Sequence, residues 1–456
     1  MRTILRPAIC AKGGAVVKRR MTIQRRDFLA GAGAALGVAA SRRAAAATPA
    51  AAPDADLSTW AAVREQFNLD RNHIHMAMLL FASHPKPVRD AIDRHRRGFD
   101  ANPVDYFHEN VAACETAARA AVATYVGGAP EEVALTGNTT TGLAMVYGGM
   151  TLKKGQEVVT TTHDHYSTHE SLRLRALHTG ATVRKVPLYA VPETASEDEI
   201  VGNLVKAVGP RTRAVAVTWV HSSNGVKLPI RKMSDALADL NKRRGAKAED
   251  RVLLCVDGVH AFGVEKENGP ELGCDFLIAG CHKWIFGPRG TGMVWGRADA
   301  WKGQSGIVPC FEWGALEAWM RGEPPDAIPP GPRMSPGGFH SFDHRWALPE
   351  AFHFHERIGR ARVTARIHEL AARCKDGLAK LPKIKLHTPR AEALSAGLVC
   401  FEVEGLDPKT VVKRLAARKI VASDTPYAPS FARLTPSLLN TPEEVDRAVA
   451  EVAALV

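Results

Sequence analysis

Cysteine is scarce in this sequence, with eight among 456 residues, at positions 10, 114, 255, 274, 281, 310, 374 and 400. Without Cys10, which sits in a basic N-terminal stretch, they are odd in number and scattered. Several fall inside apolar runs such as Val252-Leu253-Leu254-Cys255-Val256. They read as buried thiols, which excludes a disulfide framework and a cysteine-based metal site. The 18 histidines make no convincing metal-ligand set with Cys or Glu, so no metal is expected. After the first fifty residues no apolar run reaches the ~18 residues a spanning helix needs, so no stable membrane insertion is expected. Acidic residues are nearly missing from the first 47 positions, which hold ten Lys/Arg against one Asp, a balance of +9. The whole chain carries +12, so the remainder carries only 12 − 9 = +3. That excludes a broad basic face for nucleic acid. What is present is ordinary for a globular enzyme-sized chain: 45% hydrophobic and 24% charged residues. The length suggests about two or three domains.

The basic N-terminus is ordered in a recognisable way. Arg25-Arg26-Asp27 leads into thirteen weakly apolar residues, Phe28 to Ala40, then Arg42-Arg43 and an alanine tract with small-x-small cleavage sites. A basic start, a short apolar stretch and a small-residue exit are the layout of a secretory signal. The adjacent arginines resemble a twin-arginine (Tat) signal, which implies the Tat export machinery as a partner and a periplasmic or secreted destination. Met21 is an alternative start that leaves a compact basic segment before the pair. The chain therefore divides into a signal (1–47), a linker and N-terminal segment (48–80), a large domain (81–335) and a smaller C-terminal domain (336–456).

Helical spacing of apolar residues runs from Asn110 to Tyr125 and stops at Gly127-Gly128-Ala129-Pro130. Beyond it, β-rich runs alternate with helical patterns. The strand candidates are Glu157–Thr161, Thr182–Leu188, Ala214–Val220, Val252–Val256, Phe276–Ala279 and Gly292–Trp295. Such alternation predicts an α/β fold with a largely parallel or mixed sheet. The proline-rich stretch 321–338 predicts an extended loop. A long helical pattern follows from about Ala347 to Leu381. Strands at Leu398–Val403 and near Phe431–Leu434, with helices after Asp407-Pro408 and from Pro442, then predict a smaller α+β unit.

The densest chemical signal is Gly280-Cys281-His282-Lys283-Trp284-Ile285-Phe286-Gly287-Pro288-Arg289-Gly290-Thr291-Gly292. A lysine between an apolar strand and a Gly/Pro turn stands where a sheet delivers residues to a ligand crevice. Burial lowers the pKa of an ammonium, which suits Schiff-base chemistry, although a lone lysine there is more often structural. Asp257 follows an apolar run and emerges at a strand's C-terminal end, a place that also suits a plain turn. Thr136-Gly137-Asn138-Thr139-Thr140-Thr141 opens a helical pattern, giving either an anion site or a simple cap. His165 follows a strand and reads as a loop hydrogen-bonder or as an aromatic platform.

Taken together and in this order, an anion-binding helix start, an aromatic platform, a carboxylate and a Schiff-base lysine are the parts a pyridoxal phosphate (PLP) site needs. From about residue 70 to the C-terminus the chain resembles the class V aminotransferase family of fold-type I PLP enzymes. That family includes cysteine desulfurases and isopenicillin N epimerase-like proteins. The likeness extends to Trp219-Val220-His221-Ser222-Ser223-Asn224-Gly225 and to Phe431-Ala432-Arg433-Leu434-Thr435-Pro436. It implies a large domain with a mostly parallel mixed sheet between helices, a smaller α+β C-terminal domain, a homodimer and PLP as cofactor. Carried over by position, Lys283 is implied as the Schiff-base lysine and Cα proton shuttle, and Asp257 as the partner of the pyridine nitrogen. His165 is implied as the residue stacked on the ring, and Thr139, Thr140 and His282 as phosphate ligands. Ser222 and His260 are implied as neighbours of the ring. Arg433 is implied as the planar fork for a substrate carboxylate. The stretch Pro336–Trp346 resembles a region that approaches the neighbouring subunit's active site. There His340, His344 and Arg345 are candidates for substrate selection, and dimer packing is the plainer use.

Three departures narrow the expectation. Gly280 stands where many relatives carry a hydroxyl that contacts the phosphate. Ser222 falls where desulfurases usually place an asparagine. The stretch Ala422–Ala432 holds no cysteine, whereas desulfurases deliver their thiol from that loop, so the chain is expected not to be a cysteine desulfurase. The expected activity is that of an aminotransferase on an α-amino acid or an amino-acid-containing small molecule or peptide. An epimerase or a β/γ-lyase on the same scaffold is the alternative, and an inactive exported PLP-binding protein is the non-enzymatic one.

Overall fold

Runs of valine, leucine and alanine bounded by turn residues set the central architecture. The computed structural model describes residues 55–247 and 250–455, so the signal-like segment lies outside the described residues. In chain order the strands are β1 (Ile74–His75), β2 (Val133–Thr136), β3 (Glu157–Thr161), β4 (Thr182–Val186), β5 (Thr212–Thr218), β6 (Leu253–Asp257), β7 (Phe276–Gly280) and β8 (Gly292–Gly296). The C-terminal part adds β9 (Ile384–Leu386), β10 (Val399–Val403), β11 (Ile420–Val421), β12 (Ser423–Asp424) and β13 (Ala432–Leu434).

Seven strands form one sheet in the order β2-β8-β7-β6-β5-β3-β4. The five from β7 to β4 are mutually parallel. β8 runs against both β7 and β2, so β2 points the same way as the parallel set. The sheet is covered on both faces, as parallel sheets require. Successive side chains alternate between two cores: Val215, Val217, Leu254 and Val256 enter one, and Ala214, Ala216, Leu253 and Cys255 the other. This bears out the expected α/β class. It also places the carboxyl ends of β2, β3, β5, β6 and β7 on one edge, where ligands bind in open sheets of this kind.

The smaller sheet has the order β12-β13-β10-β9 and is antiparallel throughout. It is built around its own core, which includes Leu370, Phe401, Leu415 and Val445. The N-terminal segment joins the same core through a separate two-stranded sheet, in which β1 pairs in parallel with β11, Ile74 opposite Ile420. The helical pattern from Ala347 to Leu381 is two helices, Leu348–Ile358 and Arg360–Leu378. They break at Gly359, whose φ of +93° is a conformation side-chain-bearing residues rarely adopt. Within the expected loop 321–338, Pro330–Met334 forms a short helix. Among the described residues no helix is long and apolar enough to cross a membrane.

Candidate active site

The carboxyl ends of β2, β3, β5, β6 and β7 each hand one or more polar groups to a single cavity of about 190 Å³. After β2, Asn138 caps the helix Thr139–Gly149 by accepting from Thr141 N at 2.9 Å. The amides of Thr139 and Thr140 belong to a first turn that has no intrahelical acceptor. After β3, His165 caps the helix Tyr166–Thr179, its Nδ1 accepting from Ser167 N at 3.2 Å. β5 leads to Ser222, β6 ends on Asp257 and leads to His260, and β7 leads to His282 and Lys283. Arg433 comes from β13 of the smaller sheet. All nine of these residues line the cavity: Thr139, Thr140, His165, Ser222, Asp257, His260, His282, Lys283 and Arg433. Leu79, Leu80, Asn138, Ser167, Thr218, Val259 and Pro426 line it as well and were not singled out in the sequence. A roomier hollow of about 710 Å³ lies over β9 and β10 beside Lys383, Lys385, Glu402 and Glu404, and none of the predicted groups faces it.

The turn after Lys283 is tight. Phe286 N donates to Lys283 O at 2.9 Å, and Phe286 itself has φ +58°, outside the usual range for a bulky residue. Its ring is buried edge-on against Phe67 at 5.1 Å, and that burial offsets a backbone strain of about 1 kcal/mol. Lysine is thus presented from a fixed loop, and no hydrogen bond or ion pair engages its amine among the described residues. Burial lowers the Lys283 pKa, with the Asp257 carboxylate pulling it partly back and the Arg433 cation lowering it further. Burial raises the Asp257 carboxyl in turn, against the Val259 N–H bond and the Lys283 charge. Among the described residues the Asp257 carboxylate accepts one hydrogen bond, from Val259 N at 3.0 Å. His260 is held well below the usual imidazole value, first by burial and then by Lys283, Arg433, His165 and His282. His282 is lowered to about 4, chiefly by burial and then by Lys283.

These groups fit PLP. Thr139 Oγ1, Thr218 Oγ1 and His260 Nδ1 are buried without a hydrogen-bond partner among the described residues. Buried polar atoms are nearly always paired, so three orphans around one cavity mark a polar guest. At Gly280 a Cβ would lie 2.8 Å from His282 Cε1 and 2.9 Å from Thr139 Oγ1. The space that a hydroxyl side chain would need is therefore taken by the two neighbouring groups that face the same guest. Thr139, Thr140 and His282 would hold the phosphate, Asp257 the pyridine nitrogen and Lys283 the aldehyde carbon.

Arg433 is only 1% exposed, yet it has no carboxylate partner among the described residues. Its three nitrogens donate to Ser423 Oγ (3.1 Å), Ser222 O (2.8 Å) and Asp424 O (3.3 Å), all neutral acceptors. A buried cation satisfied only by neutral groups, with the cavity in front of it, is set to receive an anion. His340 and Arg345 are placed elsewhere. Both face Glu115, with His340 Nε2 at 3.7 Å and Arg345 Nη1 at 3.5 Å, and neither lines the cavity of its own chain. Glu115 is also bonded by Trp346 Nε1 at 3.1 Å, so it neutralises a guanidinium packed among helices. His344 lies beside His84, ring centres 6.4 Å apart. Sequence reasoning also missed Tyr427, whose Oη lies 2.7 Å from Ser222 Oγ. No local pattern in its loop sets this tyrosine apart in the sequence.

Comparison with known proteins agrees with this geometry. The aminotransferase class-V profile matches residues 82–424. The chain is 28% identical to isopenicillin N epimerase of Amycolatopsis lactamdurans over 86% of its own length and 97% of that enzyme's. It is 27% identical to a probable cysteine desulfurase of Halalkalibacterium halodurans, covering 79% and 88% of the two chains. A solved structure of a C-DES variant with glycine covalently linked to the PLP cofactor superposes with a TM-score of 0.76 at 22% identity, covering 86% and 98%. Another structure names C-DES a cystine C–S lyase.

These relatives overturn one expectation, that of an aminotransferase that is not a cysteine desulfurase. The similar proteins are named as desulfurases, a C–S lyase and epimerases. The physical reason is that a missing thiol is a poor criterion: a leaving group can depart from the carbon next to a deprotonated Cα without any cysteine of the protein. None of the described cysteines lines the cavity, and Cys400 is buried with its thiol pushed up to about 11 by that burial. The fold expectation stands, since the mixed seven-stranded sheet with its small antiparallel companion is that of fold-type I PLP enzymes. The chain belongs to the class-V aminotransferase family, and its cofactor is pyridoxal phosphate.

Proposed function

We propose that the cavity binds an α-amino acid, or a small molecule or peptide carrying one, by its carboxylate at Arg433, and that Lys283 moves the Cα proton so that the centre is inverted. The observation that carries this is the pairing of Arg433, a buried cation without an anion, with the unengaged Lys283 amine in one cavity. PLP, when bound, draws electrons from Cα and so acidifies its proton. Lys283, lowered by burial, is available as a neutral base closer to neutral pH than a surface lysine. Asp257, raised by burial, keeps a proton close to the pyridine nitrogen. Inversion needs only removal of a proton from one face of Cα and return of a proton to the opposite face, and the isopenicillin N epimerase match extends over nearly the whole of that enzyme. A second reading, elimination from a sulfur-bearing amino acid, is favoured by the likeness to desulfurases. The test is to incubate the PLP-loaded protein with enantiopure amino acids and analyse enantiomers, keto acids and sulfide. Loss of enantiomeric purity alone supports inversion; keto acid with sulfide and no inversion moves the assignment to the second reading.

We further propose a homodimer and export. Support for the first is the number of large apolar side chains left in solvent, among them Phe311, Trp313, Trp319 (77% exposed) and Phe339 (84% exposed). Support for the second is the twin-arginine pattern at Arg25-Arg26, which lies outside the described residues.

A further inference from the structure

The loop joining β12 to β13 is pinned at its base. Thr425 N donates to Phe431 O at 2.9 Å, Phe431 N to Thr425 Oγ1 at 2.9 Å, and Ser430 Oγ to Thr425 O at 2.6 Å. A loop closed this way holds its tip in place, and the tip carries Tyr427 across to the large domain. There the phenol oxygen is 2.7 Å from Ser222 Oγ, and the ring stands edge-on to His165 with centroids 6.3 Å apart. Ser222, His165 and the adjacent Pro426 all line the cavity. The main-chain oxygen of the same Ser222 accepts from Arg433 Nη1 at 2.8 Å. Tyr427, Ser222 and Arg433 are therefore consecutive links of one chain of hydrogen bonds at the cavity wall.

Counting protons gives the consequence. Ser222 and Tyr427 have two hydroxyl hydrogens between them, and their mutual bond uses one. Neither hydroxyl has another hydrogen-bond partner among the described residues, so one O–H is left to donate. Burial pushes the phenol up to about 12, with the Ser222 bond and the Arg433 charge opposing, so it remains protonated at neutral pH. We propose that the Tyr427–Ser222 hydroxyl pair is a specificity element, a neutral donor that reads the substrate's carboxylate beside Arg433. This rests on the reading of Arg433 as the carboxylate site. An acceptor-only carboxylate satisfies a guanidinium and a hydroxyl donor together, whereas a carboxamide turns its own N–H groups toward one of them.

The experiment compares L-alanine with L-alaninamide as probes. Both are titrated into PLP-loaded wild type, Tyr427→Phe, Ser222→Ala and Arg433→Ala while the visible absorbance of the bound cofactor is followed. Tyr427→Phe is expected to weaken alanine about tenfold and alaninamide less than about threefold, as loss of one hydrogen bond to a charged group does. Ser222→Ala should act the same way, because the hydroxyl that remains in either single variant loses the partner that holds it in place, and the double variant should be little worse than either single one. Equal weakening of both probes, or unchanged alanine affinity, overturns the proposal in favour of simple loop packing. If Arg433→Ala alone removes the preference for the acid, the carboxylate site stands and only the hydroxyl pair is lost. If Arg433→Ala leaves the preference intact, the underlying reading fails too. Should Tyr427→Phe not fold, Ser222→Ala carries the comparison.

Discussion

Asp164 shows how much of this site lies one layer beneath the groups that face the cavity. It is 2% exposed, and it accepts from Thr160 Oγ1 at 2.7 Å, Thr161 N at 2.6 Å and Thr218 N at 2.7 Å. Burial alone would raise its carboxyl, but His221 together with the Thr160 and Thr161 donors brings it down from 3.8 to about 2. Because the folded value is the lower one, the stabilisation is complete above about pH 4 and is lost as pH falls through about 2, worth about 2 kcal/mol at neutral pH. Asp164→Asn is therefore expected to lower the unfolding free energy by about 2 kcal/mol and to flatten its fall between pH 4 and 2. Urea denaturation across that range checks this, and an unchanged acid limb would contradict it. Thr139 gives a prediction of opposite character. Its hydroxyl is an orphan without cofactor, so Thr139→Val should leave the stability of the PLP-free protein unchanged or slightly higher. The same change should weaken PLP binding about tenfold in a dissociation titration. A loss of PLP-free stability with full cofactor affinity would refute the assignment.

At the scale of elements, strands buried on both faces were legible because they appear as unbroken apolar runs. Glu157–Thr161 coincides with β3, and Val252–Val256 differs from β6 by one residue at each end. β2 was not legible: in Val133-Ala134-Leu135-Thr136 alanine and leucine favour helices, and a helical pattern opens directly after it. β1 and β11 are two residues each and exist only through the pairing of Ile74 with Ile420, which no local pattern encodes. The break at Gly359 is not legible because the apolar spacing continues through it, although its φ of +93° forces a break. Nearby atoms leave room for a Cβ, the nearest being Arg362 Cβ at 3.9 Å, so the penalty of Gly359→Ala is conformational. It should cost about 2 kcal/mol in chemical denaturation. A neutral or stabilising result would mean that the two helices tolerate a single continuous course.

For the whole molecule, the groups that face the cavity were legible in order because a sheet of this topology brings strand ends together whatever their separation in the chain. What could not be read was the partner of each charged side chain. Arg433 and Arg345 look alike in sequence, yet one has only neutral acceptors and the other has Glu115. The exposed aromatic side chains give a prediction at this scale. Light scattering should show a dimer for the wild type, and Trp319→Glu should shift it toward monomer; a monomeric wild type would contradict the proposed assembly. The central claim is that Lys283 moves a Cα proton of a substrate held at Arg433. It is tested most directly by incubating an amino acid with the PLP-loaded protein in deuterium oxide and following the Cα signal by proton NMR. Wild type should exchange that proton, while Lys283→Ala and Arg433→Ala should each slow exchange at least about a hundredfold. Exchange that persists undiminished in Lys283→Ala, or no exchange by wild type with any amino acid, would contradict the account.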